Sequence, residues 1–254
     1  MGEFNGQVVI VTASAGAGIG QETARRFARE GANVVVSDAH AKRPFSVAEE
    51  ITEQSKVKAL GVQCDVTNDK QIRDMVDKAI AEWGKIDVLV NNAGTDRMSR
   101  GWEISDEDWE FVLNVTLSGA FRCIRAVFPH LVKQKRGKIV NISSVSAWAA
   151  EPIDSPMYIA AKAGVLGLTR AYAHYGAPYN INVNAIAPGL IPNPFLRKVA
   201  REEDLNKMRK DQLFQDRDGT PADIANAVMF LASARAGFIT GETITINGGF
   251  YLRG

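Results

Sequence analysis

Short apolar runs rich in Val and Ile alternate with longer amphipathic stretches along the whole chain. The run at residues 7–12 precedes an amphipathic stretch from about residue 19 to 30, and Gly31 ends this predicted helix before a second run at 33–37. The pattern predicts further strands at residues 57–63, 87–91, 138–142, 181–187 and 243–246. Because these runs are almost continuously apolar, we expect a parallel sheet that is covered on both faces.

The alternation of strands and helices predicts the α/β class. We expect a single doubly wound Rossmann-type domain, with a seven-stranded parallel sheet and helices on both faces. A length of 254 residues fits one large domain, and no repeat, low-complexity tract or linker divides it. The charge-dense stretch at residues 197–211 follows the sixth predicted strand and has the composition of a solvated helix. Its position predicts a substrate lid at about residues 190–215.

Charge and composition exclude several classes of function. Thirty Lys and Arg against 29 Asp and Glu leave a net charge of +1, too little to attract nucleic acid or an anionic membrane. The chain shows neither a signal-peptide pattern nor about 18 consecutive apolar residues, so we expect a cytoplasmic protein that does not enter a membrane. Cys64 and Cys123 lack metal-ligand spacing, which predicts buried thiols and no metal site.

A glycine-rich turn follows the first predicted strand and opens the first helix. It reads TASAGAGIG, with glycines at 16, 18 and 20. Glycines there let the backbone approach a pyrophosphate, which the free N–H groups of the helix start favour. Asp38 ends the next strand, 20 residues beyond Gly18. A carboxylate in that position accepts bonds from a ribose 2′-hydroxyl and repels a 2′-phosphate, so we expect NAD rather than NADP.

Two alternatives to this cofactor assignment stay open in the sequence. His40, Lys42 and Arg43 follow Asp38 closely and could reach a 2′-phosphate, although exposed loop cations are the simpler explanation. Asp38 itself could act only as a turn former.

A tyrosine and a lysine lie four residues apart in the segment YIAAK, at Tyr158 and Lys162. On a helix this spacing places both on one face. An ammonium about 5 Å from a phenol, at an effective dielectric of 20, favours the phenolate by roughly 3 kcal/mol, or about two pKa units. The pair therefore predicts a tyrosine that can act as an acid and a base, with a half-buried phenol beside a solvated amine as the alternative.

A serine at the end of the fifth predicted strand gives the tyrosine–lysine pair a partner. The strand ends in NISS, which places Ser144 at the carboxyl edge of the sheet, where a hydroxyl can bind a carbonyl oxygen. Ser143 is the alternative, because only one of two neighbouring side chains on a strand points into the site.

Several short motifs in a fixed order resemble those of the short-chain dehydrogenases/reductases, in their 250-residue branch, from about Gly6 to Gly249. The motifs are the turn that ends in GIG, CDVT at residues 64–67, NNAG at 91–94, LNV with Asn114, ISS with Ser144, YIAAK, APG at 187–189 and ITGETITINGG near the end.

The resemblance implies roles for individual residues. Tyr158 would exchange a proton with the alcohol oxygen while Ser144 positions that oxygen. Lys162 would lower the pKa of Tyr158 and bind the nicotinamide ribose, and Asn114 would hold a water in the proton path. The implied catalytic set is thus Asn114, Ser144, Tyr158 and Lys162, and the implied cofactor contacts are Gly16, Gly18, Ile19, Gly20, Asp38, Asp65, Val66, Asn92, Ala93, Gly94, Tyr158, Lys162, Pro188, Gly189 and Ile191.

The chain departs from the family pattern at three places. Ala13 stands where the family has glycine, and four residues instead of three separate it from GIG. After APG the family usually has Ile-x-Thr, whereas here Asn193 takes the position of the threonine. The interval between Ser144 and Tyr158 is slightly long, and its insert AAEPIDSPM predicts a reshaped substrate mouth.

The segments that the resemblance does not fix predict an apolar pocket with few charges. Such a pocket fits a bulky apolar secondary alcohol or ketone, alicyclic, steroid-like or 3-oxoacyl. We therefore expect an NAD(P)-dependent oxidoreductase, with a non-redox epimerase or lyase, or a dinucleotide-sensing module, as alternatives. The resemblance also implies a homotetramer packed through residues 109–133, 160–175 and the C-terminal strand. The candidate pocket residues are Met98, Trp102, Trp148, Met157, Phe195, Leu196 and Phe214.

Overall fold

The computed structural model describes residues 2–150, 154–194, 196, 202–214 and 216–252. Its strands are β1 (Val8–Val11), β2 (Asn33–Asp38), β3 (Ala59–Gln63), β4 (Val88–Asn91), β5 (Gly137–Ile142), β6 (Ile181–Pro188) and β7 (Thr243–Ile246). They form one parallel sheet of seven strands in the order β3-β2-β1-β4-β5-β6-β7. The predicted fold class is confirmed, with strand ends shifted by at most two residues.

Helices cover both faces of this sheet and explain why its strands are apolar throughout. The helices are α1 (Ile19–Arg29), α2 (Arg43–Ser55), α3 (Asp69–Trp83), α4 (Asp106–Leu113), α5 (Gly119–Gln134), α6 (Pro156–Gly176), α7 (Glu202–Asp211) and α8 (Pro221–Ala232). A π-helical turn at Asn114–Ser118 joins α4 to α5. Side chains of α1, α2 and α8 build the core on one face, and those of α3, α5 and α6 build it on the other.

The order in which strands are added to the sheet reverses between β1 and β4. From β1 the sheet continues through β2 to β3 on one side and through β4 to β7 on the other. In such a sheet the loops at the carboxyl ends diverge at the reversal and leave a crevice for a ligand. The glycine turn after β1, the loop after β4 and the NISS segment after β5 all lie at this edge.

A buried chain of polar side chains fixes α6 against the sheet. The amide of Asn91 donates to Asn141 Oδ1 at 2.9 Å, and the amide of Asn141 donates to Thr169 Oγ1 at 2.9 Å. Since all three side chains are buried, these bonds replace solvation that the groups would otherwise lose. The helix that carries Tyr158 and Lys162 is thereby tied to β4 and β5.

The helical run Asp106–Gln134 is long enough to cross a membrane, and an 18-residue window within it has a mean hydropathy of 1.4, which is the composition of a membrane span. Its second part, α5, buries Cys123, Ile124, Val127 and Leu131 in the core beside the sheet. The apolar character of this run is therefore that of a core helix.

Candidate active site

The glycine turn after β1 is held by the loop that follows β4. Thr12 Oγ1 accepts hydrogen bonds from the backbone N–H groups of Asn92 at 2.9 Å and Ala93 at 3.0 Å. The amide of Asn92 donates in turn to the carbonyl oxygens of Thr12 and Ala13, at 3.0 Å each. Asn92 and Ala93, which the family resemblance places beside the cofactor, thus also fix the shape of the turn.

Two positions in the turn require glycine. Gly18 precedes α1 with φ +157°, a backbone conformation that side chains rarely adopt. A Cβ at Gly20 would lie 2.4 Å from Asn92 Nδ2 and 2.6 Å from the carbonyl oxygen of Ala13. Among the described residues no side chain caps the N-terminus of α1, so its first N–H groups have no capping partner within that part of the chain. Uncapped N–H groups beside a glycine turn fit the pyrophosphate of a dinucleotide.

Ala13 occupies the position where the family has glycine and has φ +50°, in the left-handed region. This conformation costs an L-residue roughly 1–2 kcal/mol. Ala13 thus adopts a backbone conformation that glycine would favour.

We expect Ala13→Gly to raise the free energy of unfolding by about 0.5–1 kcal/mol, because glycine removes the strain but loses more entropy on folding. Denaturant unfolding of the two proteins measures the difference. Ala17→Gly is the matched control, since Ala17 lies in the same turn without a positive φ and its replacement should not stabilise the protein. Equal effects of the two substitutions would contradict the strain at Ala13.

Asp38 ends β2, and its carboxylate is already engaged in hydrogen bonds. Its Oδ1 accepts from the backbone N–H of His40 at 2.9 Å and from Arg43 Nη2 at 3.3 Å. His40 Nδ1 accepts from the backbone N–H groups of Lys42 and Arg43, so this ring serves the local turn. Arg43 also lies near the glycine turn, since a Cβ at Gly16 would meet its Nη1 at 3.8 Å. Both the carboxylate and the guanidinium are therefore placed beside the turn.

The two serines after β5 point in different directions. Ser143 Oγ donates to the carbonyl oxygen of Lys162 at 2.9 Å and is used to hold α6. Ser144 lines a cavity at the sheet edge together with Tyr158, and its hydroxyl acts to lower the pKa of Tyr158. Its Oγ lies 2.7 Å from Ser146 Oγ and accepts from the Ser146 backbone N–H at 3.1 Å. Of the two alternatives, Ser144 is the serine that faces the cavity.

Tyr158 and Lys162 lie on the same face of α6 and line the same cavity as Ser144. Lys162 Nζ lies 5.5 Å from the centre of the Tyr158 ring and donates to the carbonyl oxygen of Ile142 at 2.8 Å. A Cβ at Gly94 would come within 3.1 Å of Nζ, so the ammonium is packed closely against this glycine. Ser144 and Lys162 are buried and Tyr158 is half-buried, so the three side chains form one group between β5 and α6.

The pKa of Tyr158 moves in the direction opposite to the one expected from the ammonium alone. Burial raises this pKa above its ordinary value, the negative charges of Asp154 and Asp96 add to the effect, and the hydrogen bond from Ser144 opposes it. Burial also lowers the pKa of Lys162 to about 8. Desolvation, which the sequence spacing does not reveal, therefore outweighs the attraction between the two groups.

The structure gathers about half of the expected site residues in one cavity. Gly16, Gly18 and Gly20 belong to the turn beside it, and Asp38 lies farther along the edge. The expected site residues that line the cavity are Ile19, Asn92, Gly94, Ser144, Tyr158, Lys162, Pro188, Gly189 and Ile191.

Asp65 and Val66 lie in the loop after β3, and contacts with other residues of the protein hold both of them. Asp65 Oδ1 accepts from the backbone N–H and the hydroxyl of Thr67, both at 2.8 Å. Val66 is buried against Gly119, where a Cβ would lie 2.7 Å from Val66 Cγ2. These contacts fix the loop at which the resemblance places the adenine.

Asn114 begins the π-helical turn between α4 and α5. Its carbonyl oxygen accepts from Arg122 Nη1 at 3.3 Å. Among the described residues, Asn114 borders a surface cavity with Trp109 and Phe111 and is not in the lining of the cavity that holds Tyr158. Its expected role in a proton path stays a prediction.

The expected apolar pocket is only partly formed by the residues named for it. Met98 and Leu196 line the cavity, whereas Met157 is fully buried in the interior and Trp102 is 82% exposed. Trp148 stacks on Tyr251, with ring centres 5.8 Å apart. Phe214 is 69% exposed and borders a neighbouring cavity, and Phe195 lies outside the described residues.

Two carboxylates, Asp96 and Asp154, line the cavity close to Tyr158. The expectation of few charges near the chemistry was therefore wrong. The sequence offered no signal for either residue, because they belong to loops whose approach depends on the tertiary fold. Leu190 and Met208 also line the cavity, so the part of the predicted lid that the structure describes does border it.

A glycine turn open to a pyrophosphate and a Ser–Tyr–Lys group that lines a cavity at the same sheet edge define a dinucleotide-dependent oxidoreductase. The chain matches the family model described as enoyl-(acyl carrier protein) reductase over residues 13–251 and belongs to this family of short-chain dehydrogenases/reductases. Members act on CH–OH or keto groups with NAD(P).

Relatives of known identity match almost the whole chain. A (5R,7aS)-5-hydroxy-7a-methyl-1-oxo-2,3,5,6,7,7a-hexahydro-1H-indene-carboxyl-CoA reductase of Mycobacterium tuberculosis is 39% identical over 97% of this chain and 94% of its own length. The 3-oxoacyl-(acyl-carrier-protein) reductase FabG of Thermotoga maritima is 38% identical over 98% of this chain and 99% of its own. A 3-oxoacyl-(acyl-carrier protein) reductase of Brucella melitensis, solved with bound NAD, shares 32% identity and a TM-score of 0.90, covering 99% of this chain and 93% of that one.

Proposed function

We propose that the protein interconverts a secondary alcohol and a ketone through Ser144, Tyr158 and Lys162. The observation that carries the proposal is the meeting of these three side chains in one cavity beside the glycine turn. Tyr158 gives a proton to the carbonyl oxygen during reduction and takes it back during oxidation. Ser144 donates a hydrogen bond to the same oxygen, and Lys162 supplies positive charge beneath it. A bound nicotinamide supplies or accepts the hydride.

Further residues of the proposed site hold the cofactor. The glycine turn with Ile19 takes the pyrophosphate, and the Asp65–Val66 loop borders the adenine. Asn114 holds a water in the proton path. Pro188, Gly189 and Ile191 line the cavity from the β6 side and meet the nicotinamide end.

We infer that the substrate is bulky and largely apolar: an alicyclic, steroid-like or 3-oxoacyl compound. Val145, Leu190 and Met208 join Met98 and Leu196 in the apolar part of the lining of the cavity that holds Tyr158. The predicted lid at residues 190–215 contributes three of these side chains, and α7 would cover the bound substrate. The named relatives support the size of the substrate, since one reduces a bicyclic indene-carboxyl-CoA and another a 3-oxoacyl group.

The test is the oxidation of reduced nicotinamide, followed by its absorbance, with a panel of alicyclic, steroidal and 3-oxoacyl ketones and small polar ketones as controls. We expect turnover with bulky apolar ketones and little with small polar ones. A non-redox enzyme on the same scaffold, or a dinucleotide sensor, would bind the cofactor and leave it unconsumed with every member of the panel. Activity confined to small polyols and their ketones would contradict the substrate class.

We propose that NAD is preferred over NADP because of Asp38. Its carboxylate is only partly exposed and stands at the end of β2, where a ribose 2′-hydroxyl can donate to it. Arg43 could attract a 2′-phosphate, but its guanidinium is paired with Asp38.

Asp38→Asn should shift the preference toward NADP by on the order of tenfold, because it removes the repulsion and releases Arg43. Dissociation constants for NADH and NADPH from fluorescence titration measure the shift. The double variant Asp38→Asn/Arg43→Ala tests the alternative role of Arg43: if Arg43 holds the 2′-phosphate, the gain for NADPH disappears. Equal affinity of the unaltered protein for both cofactors would contradict the role of Asp38.

We further propose a cytoplasmic homotetramer in which α4, α5, α6 and the C-terminal strand form the contacts. Support comes from exposed aromatic side chains on these helices, at Trp109, Phe111 and Tyr175. Light scattering on the eluting peak of a gel-filtration column measures the mass, and a monomer would contradict the proposal.

A further inference from the structure

Asp96 lies in the loop after β4 and holds the residue that caps α6. Its Oδ1 accepts a hydrogen bond from Ser155 Oγ and a second one from the backbone N–H of Arg97 at 2.8 Å. Its Oδ2 lies 3.4 Å from the backbone N–H of Ser155. Ser155 Oγ accepts in turn from the backbone N–H of Tyr158 at 3.1 Å. A continuous path of hydrogen bonds therefore runs from Asp96 to Tyr158.

The first turn of α6 depends on this path. Ser155 is the N-cap of α6 and is buried, so its hydroxyl has no solvent to bond with if Asp96 is lost. Hydrogen bonds to an ionised carboxylate are about twice as strong as neutral ones, and a negative charge near a helix N-terminus is favoured by the helix dipole. Asp96, which lies in the loop after β4, thus fixes the rotamer of Ser155.

We propose that Asp96 is a positioning residue of the active site, which orients Ser155 and through it the turn of α6 that carries Tyr158. The inference rests on the proposed function of Tyr158. Asp96 also lines the cavity, so its charge lies on the same side as the phenol. A displacement of the phenol by about 1 Å is enough to slow an acid–base step strongly.

The charge of Asp96 has a second consequence that a purely structural role would not have. The groups that face the Tyr158 hydroxyl are Ser144 after β5, Asp154 before α6, Lys162 on α6 and Asp96 after β4. Of these, the two aspartates oppose ionisation of the phenol. Removing the charge of Asp96 should therefore move the pH midpoint of alcohol oxidation to lower pH, because the phenolate forms more readily.

Asp96→Asn and Ser155→Ala separate the two effects. Asp96→Asn keeps the size of the side chain, loses the charge and weakens the hold on Ser155. Ser155→Ala removes the cap and leaves the charge in place. We expect kcat to fall by roughly tenfold in both, with KM for the cofactor nearly unchanged, but a lower pH midpoint only in Asp96→Asn. In the double variant, kcat on the pH plateau of each protein should fall no further than in Ser155→Ala, because the positioning effect of Asp96 acts through Ser155.

Hydrogen exchange gives a readout that does not require turnover. In both variants the peptide that covers the first turn of α6 should exchange faster than in the unaltered protein, while peptides from α3 should not change. Asp106→Asn is the matched control, since this exposed aspartate begins α4 and is absent from the cavity lining in the described part of the chain. It should leave kcat, the pH midpoint and the exchange unchanged.

The outcomes distinguish this inference from the proposed function. An active protein whose Asp96→Asn variant keeps the original kcat, pH midpoint and exchange would overturn the role of Asp96. Additive losses of kcat in the double variant would also overturn it, because Asp96 would then act independently of Ser155. If neither the unaltered protein nor Asp106→Asn turns over any ketone of the panel, the proposed function fails, and the exchange measurement alone decides whether Asp96 holds α6.

Discussion

We expect Tyr158→Phe to lower kcat for ketone reduction by on the order of a thousandfold while the dissociation constant for NADH changes little. Phenylalanine fills the same space but has no proton to give to the carbonyl oxygen. Tyr158 lines the cavity together with Ser144, so the loss of its hydroxyl affects the reacting end of the site and not the glycine turn. Steady-state rates and fluorescence titration with NADH measure the two quantities.

Tyr172→Phe is the matched control for this prediction. Tyr172 lies on the same helix, packs against Phe128 with ring centres 5.2 Å apart and is not in the cavity lining that the structure describes. Its replacement should leave kcat within about twofold of the unaltered enzyme. If both tyrosine variants keep full activity, another group must supply the proton.

Lys162→Met should lower kcat by about a hundredfold or more and weaken NADH binding. Among the described residues that line the cavity, Lys162 is the one basic side chain, facing the two acidic ones Asp96 and Asp154. Methionine has a similar length and no charge, so the cavity would become strongly acidic and oppose the negative charge that develops on the substrate oxygen during reduction.

The direction in which the reduction rate should change with pH follows from the pKa of Lys162. Burial lowers the pKa of Lys162 to about 8, so the ammonium is present below that pH and is lost above it. The reduction rate of the unaltered enzyme should therefore fall as pH rises through about 8, and Lys162→Met should lack this limb.

Lys138→Met controls for the loss of a partly buried lysine, because Lys138 lies on β5 and donates to Asn182 Oδ1 at 2.7 Å away from the cavity. An unchanged kcat is expected for it. A Lys162→Met variant within threefold of the unaltered kcat would contradict the role of Lys162.

The fold was predictable because the sheet is buried on both faces. Strands of this kind consist of continuous apolar runs, and those runs mark all seven strands to within two residues. The glycine turn was also visible, since backbone conformations such as φ +157° at Gly18 restrict the sequence itself. The sequence identified residue 13 as a position where the turn departs from the family pattern. It could not show that the alanine there keeps the left-handed conformation.

The side chains that line the cavity were harder to predict, because only the tertiary fold brings their loops and helices together. Met157 and Tyr158 are neighbours in the chain, yet the helix turns by about 100° per residue, so one faces the core while the other faces the cavity. Asp96 reaches Ser155 across 59 positions of sequence. The direction of the Tyr158 pKa shift depends on burial, which the spacing of Tyr158 and Lys162 does not contain.

Transfer of deuterium from NADH labelled at C4, on the face that is transferred, to the product tests the central claim most directly. The enzyme, the labelled cofactor and a bulky ketone that it consumes are mixed, and the alcohol is analysed by mass spectrometry. We predict one deuterium on the carbinol carbon with the unaltered protein and a strongly reduced yield of labelled alcohol with Tyr158→Phe over the same time. The absence of deuterium from the product with either face labelled, or equal yields from the two proteins, would contradict the account.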